Sequence, residues 1–258
     1  MRSYLDVGVE AARLAGEVLK ESYGRGKTIE YKGENNLVTH VDKRSESLVT
    51  EFLTSRFPKH AVLGEEGTNT RPESEYRWVI DPLDGTTNYA HDYPFFCVSI
   101  GLEYQGELIV GVVYHPIFEE LFVAEKGGGA YLNGKRIQVS KVDKLRQALL
   151  ATGFPYDVDQ NPGAAFDYFQ EFVKAAQAVR RDGSAALDLC YLAMGRFDGF
   201  WEVRLNPWDT AAGVLILREA GGRVTDFDGN EYVVSNDPVL ASNSLIHSEM
   251  QVVINRYR

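Results

Sequence analysis

The sequence predicts a mixed α/β (α+β) protein layered α-β-α-β-α. Three observations carry this: helical spacing in the first two segments, a strand-rich middle, and alternating helix and strand signals from Pro162 onward.

The elements follow in order. Leu5, Val9, Ala12, Gly16, Leu19 and Tyr23 recur at four- and three-residue spacing, giving an amphipathic helix that stops at Gly24. The polar, glycine-bearing stretch Tyr31-Lys32-Gly33-Glu34-Asn35-Asn36 reads as a mobile loop, of the kind that closes over a site; Lys32 reads as solvated. A second helix runs from about Asp42, with Leu48, Val49, Phe52 and Leu53 on one face, and ends before Pro58. Ala61-Val62-Leu63 and Trp78-Val79-Ile80 are short apolar strands. Three longer strands come next, Phe95 to Tyr104, Leu108 to His115 and Glu119 to Glu125, joined by Gln105-Gly106-Glu107 and a turn at Pro116. Gly127-Gly128-Gly129 has no helix or Lys-Ser/Thr after it, so it reads as a tight turn rather than a phosphate loop. Asn133-Gly134 is a hairpin turn.

Helices are expected over Phe166 to Ala176, Ser184 to Met194, Trp208 to Ala220 and Ser244 to Arg256. The strands between them are Gly199 to Val203 and Gly222 to Thr225. Repeats and low-complexity linkers are absent. The Gly153 to Gly163 stretch is the one candidate boundary, dividing the chain into units 1–152 and 153–258. The two would pack closely, with the functional site at their junction.

The most informative run is Asp81-Pro82-Leu83-Asp84-Gly85-Thr86-Thr87-Asn88. Two carboxylates so close repel each other unless a proton or cation lies between them. Pro82 and Gly85 force a tight turn, freeing the amides of Gly85, Thr86 and Thr87 to face an anion. Asp-Pro and Asp-Gly are also common turn dipeptides, so the run gains meaning from other acids at element ends. Glu65 or Glu66 projects beyond Ala61-Val62-Leu63. Asp209 falls in the first turn of a helix, where a carboxylate also serves as an ordinary cap. Glu65, Asp81, Asp84 and Asp209 form a sensible oxygen-ligand set for two Mg²⁺ ions. A divalent cation beside an anion cradle is how phosphate esters are handled.

Composition agrees with an intracellular globular enzyme. The formal charge of −10 argues against a nucleic-acid surface, and an acidic pocket would repel a phosphate unless cations reversed its sign. The five histidines fall in no common ligand spacing, so a zinc site is not expected. Cys97 and Cys190 lie inside apolar runs and read as buried thiols in a reducing compartment, so cytoplasm is expected. The start of the chain lacks the apolar run of a signal peptide. Stretches such as Phe95 to Leu102 are too short to span a bilayer, so no membrane association is expected.

Gly64-Glu65-Glu66, Trp78-Val79-Ile80-Asp81-Pro82-Leu83-Asp84-Gly85-Thr86-Thr87-Asn88 and Trp208-Asp209-Thr210-Ala211-Ala212-Gly213 together resemble the inositol monophosphatase family, within the lithium-sensitive, Mg²⁺-dependent phosphatases. The resemblance runs from Leu37-Val38-Thr39-His40-Val41-Asp42 to Glu219-Ala220-Gly221-Gly222. Thr152-Gly153-Phe154-Pro155-Tyr156 and Arg180 to Leu189 are similar to its bacterial branch. It implies the layered fold of the inositol monophosphatase and fructose-1,6-bisphosphatase type.

Position by position, the resemblance implies that Glu65, Asp81 and the Leu83 carbonyl hold one metal, Asp81, Asp84 and Asp209 a second, and that a third ion leans on Glu65. Asp42 and Thr86 would orient the attacking water, and the Gly85 and Thr86 amides would bind phosphate. Gly183, Ser184, Ala185 and Glu202 would meet the substrate alcohol, beside Asp84 and Asp209. Glu202 equally suits a solvated strand end. Arg180 and Arg181 could bind phosphate, brace a loop or sit at a subunit interface. Asp182 departs from the small or apolar residue that relatives usually carry, and is expected to pair with a neighbouring arginine.

The expected activity is Mg²⁺-dependent hydrolysis of myo-inositol 1-phosphate or a similar polyol or sugar phosphate. Alternatives of the same chemistry are fructose 1,6-bisphosphate, histidinol phosphate and 3′-phosphoadenosine nucleotides. A reading of another class is a regulatory partner of the transcription machinery. The resemblance also suggests a homodimer.

Overall fold

The computed structural model describes residues 3–25, 29–31 and 37–257. Lys32 and the rest of the expected loop through Asn36 lie outside them.

Helix α1 (Tyr4–Ser22) begins with a capping box in which Ser3 and Asp6 satisfy each other's backbone amides. Its buried face is Val7, Gly8, Ala11, Ala12, Ala15, Gly16, Val18 and Leu19, which keeps Ala12, Gly16 and Leu19 of the expected stripe and leaves Leu5, Val9 and Tyr23 half-buried at its edge. Small residues let the helix lie close to the sheet, while Leu5 and Val9 sit at its flank. Strands β1 (Ile29–Tyr31) and β2 (Leu37–Thr39) pair antiparallel ahead of α2 (His40–Arg56). The buried face of α2 keeps the expected Val49 and Leu53 and extends beyond them. It includes Val41, Asp42, Ser45, Glu46, Val49 and Leu53, with Leu48 and Phe52 half-buried.

The large sheet holds β3 (Ala61–Gly64), β4 (Asn69–Thr70), β5 (Tyr76–Asp84), β6 (Cys97–Tyr104), β7 (Glu107–His115), β8 (Glu120–Glu125), β9 (Gly129–Leu132) and β10 (Lys135–Arg136). Their spatial order is β10-β9-β8-β7-β6-β5-β3-β4, antiparallel except for β3 beside β5. The short helix α3 (Thr86–Ala90) follows β5. Asn133 and Gly134, with φ of 48° and 76°, turn β9 into β10 as the Asn-Gly signal predicts. The triple-glycine turn is tied to the C-terminal end of α6 (Pro207–Glu219): the Gly127 and Gly129 amides donate to the Glu219 carboxylate.

The second sheet holds β11 (Leu149–Thr152), β12 (Ala178–Arg180), β13 (Gly199–Glu202), β14 (Arg223–Thr225) and β15 (Val239–Ser242), in the order β12-β11-β13-β15-β14. Strands β11 and β15 are too short and too apolar to show a period, and β12, three residues ending in the exposed Arg180, is too short. Helices α4 (Ala165–Ala175), α5 (Ala185–Ala193) and α7 (His247–Ile254) complete the chain.

Three apolar clusters define the layers. One joins α1 and α2 to the first face of the large sheet. A second fills the space between the sheets and holds α5 and α6. The third lies outside the small sheet, under α4 and α7. The order is therefore α-β-α-β-α.

Candidate active site

Asp81 and Asp84 come from one strand, and a regular strand would point residues three apart to opposite faces. The register of β5 against β6 shifts between them: Asp81 pairs with Ser99 and Asp84 with Cys97. Two residues, Pro82 and Leu83, therefore oppose Val98 alone. Pro82 has no N–H for the ladder, so the bulge falls where pairing is already broken. The extra residue returns Asp84 to the face of Asp81, and both line one cavity of about 290 Å³ with Glu65, Leu83, Thr86 and Asp209. The strand thus continues through Asp84, and the expected tight turn comes later, at Gly85. Gly85 has φ +98°, and a Cβ there would come within 2.9 Å of the Phe95 carbonyl, so glycine is required.

Asp42 has two tasks. As the third residue of α2, its Oδ2 accepts the Thr39 amide at 2.9 Å in a capping box. Its Oδ1 accepts from the Thr86 hydroxyl at 3.0 Å. Thr86 has one hydroxyl proton and a second acceptor, the Leu83 carbonyl, also at 3.0 Å. Burial pushes the Asp42 carboxyl up, while the donors from Thr39 and Thr86 hold it down.

Asp209 is brought in by α6, whose Pro207 start and Asn206 cap place it in the first turn. Its Oδ2 accepts the Asn206 amide at 2.6 Å. Asp81 Oδ1 accepts the Leu83 amide at 2.9 Å. Asp84 Oδ2 takes the Ser184 hydroxyl and the Ala186 amide, each at 2.7 Å. Burial raises all three carboxyls, and repulsion adds to it: Glu65, Asp84 and Asp209 act on Asp81, and Asp84 acts on Asp209. The Asp84 bonds oppose its rise.

Among the described residues, no three carboxylate, imidazole or thiol side chains close into a metal cage as oriented. Each aspartate instead turns one oxygen to a local donor. The donor set still fits a hard cation, because it is all oxygen, deeply buried and mutually repulsive. The second oxygens of Asp81, Asp84 and Asp209 have no hydrogen bond among the described residues.

A second cavity, about 310 Å³, adjoins Asp84 and Asp209. Gly183, Ser184, Ala185 and Glu202 all line it, as do Arg181 and Tyr156. Glu202 is buried at the end of β13, and a Cβ on Gly153 would fall 2.3 Å from its Oε2, so Gly153 makes its space. Burial raises the Glu202 carboxyl to about 8, with Arg181 opposing the rise. Arg180 is exposed and donates to the Val179 carbonyl, away from this wall. No ion pair joins Asp182 to an arginine among the described residues; its carbonyl accepts from Asn88 instead.

Sequence reasoning missed Asp188, which lines the same cavity and is 1% exposed. The available signal was its place four residues after Ser184, on the same helical face. It also missed Arg204, whose ion pair with Asp157 lies at the cavity edge. Trp208 lines the acidic cavity, and its indole nitrogen is buried with no hydrogen-bond partner among the described residues. The histidines take no part; His60 stacks on Tyr76, and His247 is buried between Thr225 and Ser242.

The whole chain, residues 1–258, matches the inositol monophosphatase family. It is 43% identical over 259 residues to a fructose-1,6-bisphosphatase/inositol-1-monophosphatase of Aquifex aeolicus, covering 100% of this chain and 97% of that one. It is 44% identical over 254 residues to the Nus factor SuhB of Haemophilus influenzae, covering 97% and 95%. An inositol monophosphatase structure from Anabaena superposes with a TM-score of 0.90 at 43% identity, covering 99% of this chain and 96% of that one.

Proposed function

The chain belongs to the inositol monophosphatase family and is a phosphoric monoester hydrolase, and on that premise we propose that it is a Mg²⁺-dependent enzyme of polyol or sugar phosphates, myo-inositol 1-phosphate first. Members of the family are generally metal-dependent. The observation that carries the reading is the shared cavity of Asp81, Asp84 and Asp209 beside the Thr86–Asp42 hydrogen bond.

Glu65, Asp81 and the Leu83 carbonyl would hold one ion, Asp81, Asp84 and Asp209 a second, and Glu65 a third. Such ions would supply Lewis acidity toward water and would reverse the sign of the wall facing the ester. Asp42 accepts the Thr86 proton, which leaves the Thr86 oxygen lone pairs free to accept from the attacking water. The Gly85 and Thr86 amides meet the phosphoryl oxygens, whose negative charge fixed N–H dipoles stabilise. Gly183, Ser184, Ala185 and Glu202 receive the leaving alcohol, where a buried carboxyl reads hydroxyl groups.

Phosphate release from myo-inositol 1-phosphate, with and without Mg²⁺ and with Li⁺ in a parallel series, tests this reading. Release that needs Mg²⁺ and is blocked by Li⁺ is expected; silence on every phosphomonoester would overturn it. Fructose 1,6-bisphosphate is the second substrate to assay, because the Aquifex relative is named for both reactions. The Nus-factor relative motivates a further reading, a partner of the transcription machinery, tested by binding to purified polymerase. We further propose a homodimer, which gel filtration checks, and residence in the cytoplasm. Two free buried thiols support the latter, and among the described residues no helix is long and apolar enough to cross a membrane.

A further inference from the structure

The cavity beside Asp84 holds one buried acid that the proposed reaction leaves unused. Asp188 lies in the first turn of α5, four residues after Ser184, and both side chains line this space. It is 1% exposed, and its Oδ1 is buried with no hydrogen-bond partner among the described residues. Folded proteins keep few such orphans, because a buried polar atom without a partner is costly. One in a cavity wall is explained by a donor that the cavity receives.

Glu202 faces the same cavity from β13, and repulsion from it reaches Asp188 along with that from Asp182 and Asp84. Burial is the larger influence on both acids and pushes both upward. A carboxyl that retains its proton both donates and accepts, which matches an alcohol group better than an anion.

We propose that Asp188 is a specificity-determining residue that hydrogen-bonds a second hydroxyl of the leaving alcohol, so that Glu202 and Asp188 together select phosphates of polyols over those of simple alcohols. The inference rests on the phosphatase reading above and assigns the alcohol side of that same site.

The test compares kcat and KM for myo-inositol 1-phosphate and for 4-nitrophenyl phosphate, whose leaving group has no further hydroxyl. The enzymes are wild type, Asp188→Leu and Asp188→Asn, each with Mg²⁺. Leucine fills a similar volume without polar atoms, and replacing a buried polar group that has no partner by an apolar one of similar shape leaves no new unsatisfied group. The ratio of kcat/KM for the polyol ester to that for the aryl ester is expected to fall at least about tenfold in Asp188→Leu, mainly through KM, one hydrogen bond being of that size. Asp188→Asn, which keeps a donor and an acceptor, is expected to stay within about threefold of wild type. An unchanged ratio in Asp188→Leu overturns the inference while leaving the reaction class standing. If that variant does not fold by circular dichroism, Asp188→Ala gives the same comparison. A wild-type enzyme that hydrolyses neither ester overturns both readings together.

Discussion

The Ser184 hydroxyl donates to Asp84 Oδ2 over 2.7 Å, joining the end of β5 to the start of α5. The same oxygen accepts the Ala186 amide at 2.7 Å. Ser184 is the N-cap residue of α5 but makes no side-chain cap of its own. A carboxylate from the other sheet takes that place, where the helix dipole favours negative charge. One acid thus caps a helix and serves the proposed metal site.

Ser184→Ala is expected to remove a buried hydrogen bond to a carboxyl, costing about 1.5–3 kcal/mol. Thermal unfolding checks it, with a fall in Tm of about 2–4 °C per kcal/mol for a chain of this size. Asp84→Asn is expected to lower kcat about a hundredfold or more with the fold intact, as measured by phosphate release.

Thr86→Ala is expected to lower kcat about a hundredfold, because Asp42 then has no hydroxyl to orient toward water. Thr86→Ser keeps that hydroxyl and is expected to recover most of the rate. Equal losses in the two variants would mean that the methyl group, not the hydroxyl, matters.

Mg²⁺ is expected to raise Tm in the absence of substrate, since Asp81, Asp84 and Asp209 repel each other in a buried space. At a hundred times its Kd the gain is about 2.7 kcal/mol. Asp209→Asn is expected to raise the metal-free Tm and to shrink the Mg²⁺-induced shift, both read in one melting series.

His247 sets an acid limit on stability. Burial, with Arg223 adding to it, lowers its pKa from 6.5 to about 4. Between those values the unfolded chain binds a proton that the folded one does not, so falling pH favours unfolding. The contribution is complete above 6.5 and is lost as pH falls toward 4. His247→Gln is expected to narrow the Tm difference between pH 7 and pH 5, measured by calorimetry.

Much of the site was legible because its chemistry lies in short motifs. Asp81, Asp84 and Asp209 stand beside Pro82, Gly85 and Pro207, whose backbone limits mark element ends in any sequence. What escaped depends on tertiary distance. The buried face of α1 is set by how closely Ala11, Ala12 and Ala15 let it approach the sheet, so hydrophobic spacing found Ala12, Gly16 and Leu19 but set Leu5, Val9 and Tyr23 deeper than they lie. Strands β11 and β15 are apolar on both faces because helices cover them on each side, so they show no alternation. Asp188 resembles any first-turn acid until the cavity opposite it is seen. The pairing expected of Asp182 is not made among the described residues, although Arg180 is close enough to oppose the effect of burial on its carboxyl.

The bulge in β5 makes the proposed site sensitive to length rather than to composition. Asp81 and Asp84 share a face because two residues on one strand oppose one on its neighbour. Substituting Leu83 by another apolar residue keeps that count. Adding or deleting a single residue between the two acids would send one of them to the far side of the sheet. Chains descended from this one can therefore drift at Leu83, whereas insertions and deletions between Asp81 and Asp84 should be purged.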